Sequence, residues 1–77
     1  LDREMTEVQN QVYMVLDAYW RKYGFGPSME EVMNITGYKS KSNVHRIMVK
    51  LCDLGYCKRL PRSARSVRPS YLKIKDL

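Results

Sequence analysis

The sequence is poor in the residues that build metal sites, disulfide scaffolds and catalytic centres. It holds one histidine and two cysteines in 77 residues. Cys52 and Cys57 lie five positions apart and form no Cys-x-x-Cys pair. Zinc takes about four ligands at recognisable spacing, so no metal is expected. Two thiols make no disulfide framework, and a reducing, cytoplasmic setting fits them best. There is no Gly-rich phosphate loop and no carboxylate pair with an obvious pocket. No catalytic residue, no cofactor and no enzymatic activity are therefore expected. No stretch approaches the roughly 18 apolar residues of a membrane span, and no signal-peptide pattern opens the chain. A membrane partner is not expected.

What is present is a small, lopsidedly charged chain. Its length reads as one domain over residues 1–77, too small to spare apolar residues from its core. It begins with Leu1, which fits an excised domain of something longer, with a stand-alone protein as the other reading. The net charge is +6, and acid is scarce in the second half. Residues 1–35 carry three Lys or Arg against six acids, net −3; residues 36–77 carry eleven against two, net +9. The basic half is where a polyanion would sit.

Apolar spacing predicts three helices, at about residues 6–23, 29–36 and 41–54. In the first, Val8, Val12, Val15, Leu16, Tyr19 and Tyr23 share a stripe about 100° wide. Thr6 with Gln9 reads as a capping box, in which side chains satisfy the orphan N–H groups of the first turn. Trp20, at the stripe's edge, reads as core. Ser28 with Glu31 repeats the capping box for the second helix, whose apolar side is Met29, Val32 and Ile35, with Met33 beside them. Gly37 closes it. In the third, Val44, Ile47, Met48, Leu51 and Leu54 share a face, and Gly55 ends it. A hairpin is expected over about 56–74, with strands at 56–60 and 66–74. Pro69 cannot donate to a ladder, which marks its strand as an edge or a bulge.

Two short helices joined by a tight Gly-containing turn, the second with a polar outer face, form the helix-turn-helix pattern. A long helix before it and a hairpin after it make a winged helix-turn-helix, mainly α with a small β-hairpin. Such a fold offers its third helix to the major groove of double-stranded DNA. Base readout would fall to Ser42, Asn43, His45 and Arg46 on that helix. Arg46 is the principal candidate, with a phosphate clamp as its other role. The DNA backbone would be met by Lys39, Ser40, Lys41 and Lys50 around the helix, and by Arg59, Arg62, Arg65 and Arg68 in the wing. Asp53, near the far end of the helix, reads as solvated.

These residues resemble the N-terminal DNA-binding domain of LexA-type SOS repressors over residues 6–74. The resemblance rests on the Thr-x-x-Gln opening at Thr6 and Gln9, and on Gly24, Pro27 and Ser28 at the entry to the second helix. It continues through Glu31-Val32, the turn Gly37-Tyr38-Lys39-Ser40, Leu51, Gly55, and Arg65 with Val67-Arg68. It implies a bacterial or phage-encoded repressor. The family reads its operator with a Ser, an Asn, an Ala and two Glu; the matching positions are Ser40, Ser42, Asn43, His45 and Arg46. Only Ser40 keeps the family residue, and Lys41 replaces the family's Pro. Glutamate accepts from cytosine, whereas Arg and His donate, so a different operator is implied. The family's dimerisation and Ser/Lys self-cleavage belong to a further domain, so a homodimer would form through a region outside this chain.

The other reading is a winged-helix module that docks a protein. An adhesive surface should carry exposed aromatics or an apolar patch. The outer face of the third helix offers Ser42, His45, Arg46 and Lys50, with only Val49 apolar, which favours DNA.

Overall fold

The computed structural model describes residues 5–59 and 67–72. Helices α1 (Glu7–Tyr23), α2 (Met29–Thr36) and α3 (Lys41–Asp53) come first. Strands β1 (Cys57–Lys58) and β2 (Arg68–Pro69) follow as a two-stranded antiparallel sheet.

Each helix starts where a short polar side chain replaces a missing backbone partner. Gln9 N donates to Thr6 Oγ1 at 3.1 Å, and Thr6 N donates to Gln9 Oε1 at 3.0 Å. Ser28 and Glu31 make the same reciprocal pair for α2, at 2.7 and 3.2 Å. Asn43 N donates to Ser40 Oγ at 3.2 Å at the start of α3. The turn between α2 and α3 depends on Gly37. Its φ of +82° lies in the left-handed region, which lets its N–H reach Met33 O at 2.8 Å and reverse the chain. The Tyr38 hydroxyl then donates to the Gln11 side-chain carbonyl and fastens the turn to α1.

The core forms where the three helices meet. Val12 and Leu16 of α1, Val32 of α2, and Val44, Met48 and Leu51 of α3 are buried together with Cys57 of β1. Four residues of the expected apolar faces are exposed instead: Val8, Tyr23, Ile35 and Leu54, at 40%, 48%, 57% and 43%. Helix α2 turns Met29, Val32 and Met33 inward, and this rotation leaves Ile35 to solvent. Leu54 is the C-cap residue, past the last core-facing turn. Tyr23 sits in an aromatic cluster at the end of α1, with Tyr19 at 4.5 Å and Phe25 at 5.9 Å between ring centroids.

The ribbon is shorter than its sequence suggests. Cys57 pairs with Pro69 and Lys58 with Arg68. Ser70 N donates to Tyr56 O at 2.8 Å, which makes Cys57 and Pro69 a pair without mutual hydrogen bonds. Pro69 therefore loses no ladder bond, and in a two-stranded sheet its strand is an edge, as its ring requires. After it the chain turns, with Leu72 N on Pro69 O at 3.1 Å. Residues 60–66 and 73–74 of the expected wing lie outside the described residues.

Candidate nucleic-acid interface

Helix α3 has two sides set by its period. Val44, Met48 and Leu51 face the core, at 0%, 5% and 0% exposure. Ser42, His45 and Arg46 are exposed on the other side, with Val49 half-buried among them. Their spacing of i, i+3, i+4 and i+7 puts all four on one stripe. Met29, from the first turn of α2, closes the side of an open hollow of about 620 Å³ lined by that stripe and Lys41.

Asn43 projects to the other flank of α3. There it lines a hollow of about 540 Å³ with Lys39, Ser40 and Tyr38. Arg46 lines both hollows, so it stands on the ridge between them. The structure thus brings the four proposed base readers to one end of α3, with Arg46 central. Asp53 continues the stripe of Arg46 and Val49 and is exposed, so an anion ends the basic face at the last turn of α3.

The cations differ in availability. Lys39 and Lys50 are exposed. Lys41 Nζ lies 2.9 Å from Glu30 Oε1, joining the first turn of α3 to that of α2. The Lys41 hydrogen bond, then a backbone N–H at the helix start, hold the Glu30 carboxyl below the usual carboxylate range. Both partners are largely exposed, so the pair is open to salt and to a competing phosphate. Arg59 is exposed, and its charge is felt at the Cys52 thiol near the end of α3. Arg68 is half-buried, its Nε enclosed without a hydrogen-bond partner among the described residues. Arg62 and Arg65 lie outside the described residues.

Burial pushes the Cys57 thiol up to about 12 and raises that of Cys52, so neither is a thiolate at neutral pH. Among the described residues no group of three or more His, Cys, Asp or Glu could hold a metal. No described helix is long and apolar enough to cross a membrane.

Sequence reasoning did not assign three features. Val49 is legible as the apolar member of the stripe, but its place beside Met29 in the lining of the hollow is not. The Lys41–Glu30 pair has no local signal, being eleven residues apart. Nor does the anchoring of the ribbon to α1 through Trp20 and Tyr71.

Three helices, a Gly-reversed turn, a polar reading face on the last helix and a ribbon beside it define a winged helix-turn-helix DNA-binding domain. The model of the LexA DNA-binding domain matches residues 2–66. The LexA repressor of Granulibacter bethesdensis is 35% identical over 63 residues, 82% of this chain and 26% of that protein. Those of Rhodospirillum rubrum and Paramagnetospirillum magneticum are 35% and 33% identical over 82% of the chain, covering 25% and 27% of their own lengths. The chain belongs to the LexA DNA-binding domain family, and it spans about a quarter of these curated relatives.

Proposed function

We propose that the chain is the operator-reading domain of a transcription repressor, acting in the cytoplasm where the chromosome is reached directly. Helix α3 enters the major groove, which is wide enough to admit a helix. Arg46 donates two parallel hydrogen bonds to a guanine, and Asn43, on the other flank, suits an adenine. Ser42 and His45 complete the reading edge. Lys39, Ser40, Lys41 and Lys50 meet phosphates around α3, and Arg59, Arg62, Arg65 and Arg68 meet them along the wing. Two-fold operators need two such domains one helical turn or a multiple apart. Pairing of two copies would fall to a region outside this chain.

The observation that carries this reading is the exposed stripe of Ser42, His45 and Arg46 on α3, opposite its buried core face. The experiment is a salt titration of binding to duplex DNA. If about five phosphates are neutralised, log K should fall against log salt with a slope near −4.5. Binding that is absent, or indifferent to salt, would contradict it.

A further inference from the structure

The hollow on the outer side of α3 is not uniformly polar. Lys41, Ser42, His45 and Arg46 surround an apolar floor made by Met29 and Val49. Met29 packs against the core, which fixes its position. Among the half-buried residues of α3, Ile47 and Cys52 pack against the core, whereas Val49 lies on the solvent side, in the hollow. A merely solvated face gains nothing from valine there, because a β-branched side chain is a poorer helix former than Ala, Lys or Glu.

In the major groove the one apolar group that a standard base pair presents is the C5 methyl of thymine. A cytosine methylated at C5 presents the same group. Arg46 and Val49 are three residues apart, about 4.5 Å along the helix axis. Successive bases of one strand are about 3.4 Å apart. A methyl seated on Val49 would therefore lie within one or two base pairs of the base that Arg46 reads. Cations on the rim draw DNA, while the floor offers it a dry, shape-fitting contact.

Resting on the reading of α3 as the major-groove helix, we infer that Val49, backed by Met29, is a specificity-determining residue. It seats the C5 methyl of a pyrimidine next to the base read by Arg46, and thymine is the standard base that supplies it. The seat would distinguish thymine from cytosine by a contact, where Arg46 distinguishes by hydrogen bonds.

The test starts from the preferred site selected from random duplexes. Each thymine is replaced in turn by 2′-deoxyuridine, which removes the methyl and nothing else. One thymine per site is expected to lose about fourfold in affinity, the value of one buried methyl. The same replacement should be silent for Val49→Ala. The readout is a ratio within each variant, so a general loss of stability cancels. Val49→Thr, close in shape but with a hydroxyl in the floor, should shrink the ratio as well. A parallel series replaces each cytosine by 5-methylcytosine. A loss at one thymine assigns the seat to thymine; a Val49-dependent gain at one methylated cytosine, with every thymine silent, assigns it to 5-methylcytosine. Insensitivity at every pyrimidine, with site preference still lost in Arg46→Ala, overturns the methyl seat and leaves the reading of α3 standing. A pool that yields no preferred site removes that reading, and the seat with it.

Discussion

The indole Nε1 of Trp20 donates to the backbone carbonyl of Val67 at 2.7 Å, across 47 residues of sequence. This bond fastens the chain to α1 one residue before β2. On the next residue, Arg21 Nε and Nη2 donate to Tyr71 Oη at 3.0 and 2.8 Å, and that hydroxyl donates to the Asp17 carboxylate. The base of the ribbon is thus held along one edge of α1. The same helix supports α3 through Val12 and Leu16. Helix α1 thus packs against both the reading helix and β2, so a change there should reach DNA without touching it.

Trp20→Phe keeps an aromatic ring and removes the donor. Leaving a carbonyl without its partner costs about 1–3 kcal/mol when no water replaces it. Val67 is only half-buried, which points to the lower end of that range. The midpoint of urea unfolding should fall with little change in slope. An unchanged midpoint would mean that water replaces the indole in solution.

Glu30→Gln should tighten binding to every duplex. The substitution removes the anion that pairs at 2.9 Å with Lys41, a residue that lines the hollow, and so frees the lysine's charge. One more neutralised phosphate steepens the salt slope by about 0.9. The ranking of sites should not change, since phosphates carry no sequence information. In a Lys41→Met background the same substitution should do much less. Fluorescence anisotropy over a salt series checks this, and an equal gain in both backgrounds would place Lys41 away from the phosphates.

Cys57 should make the domain sensitive to alkali. Its thiol has a folded pKa of about 12 against an ordinary value of 9.0, because it is buried. The raised value favours the protonated, folded form. The associated stability is complete below the unfolded pKa and is lost as pH rises through the interval from 9.0 to about 12. Across that interval one proton accounts for a slope of at most about 1.4 kcal/mol per pH unit. The test is the difference from Cys57→Ala, which cancels contributions common to both chains and whose unfolding free energy should fall less steeply. Parallel curves would mean that Cys57 ionises freely in the folded state.

The parts of this structure that were legible in the sequence are those decided within a few residues. Thr6 with Gln9 and Ser28 with Glu31 announce their helices because a capping box is a local reciprocal bond. Gly37 announces the turn because few other residues accept its backbone angle. The opposed faces of α3 follow from its period alone. What remained hidden depends on residues far apart in sequence. Ile35 has the spacing of a core residue, yet the way α2 rolls against α1 and α3 leaves it exposed. Trp20 read as core by its polarity, and nothing local shows that its N–H would find Val67. Lys41 reads only as a backbone-contacting cation, since its partner Glu30 belongs to another helix. The strands were overestimated because the turn after Pro69 is fixed by where Ser70 and Leu72 find partners.

The central claim is that α3 reads bases and that Arg46 is its chief reader. Selection of bound duplexes from a random pool, run in parallel with the unaltered chain and with Arg46→Ala, tests it most directly. The account predicts a defined site for the unaltered chain. It predicts loss of preference at one guanine for Arg46→Ala, a discrimination of about 1–3 kcal/mol, with general affinity largely kept. An unchanged site, with affinity reduced alike on all sequences, would contradict it and make Arg46 a phosphate clamp.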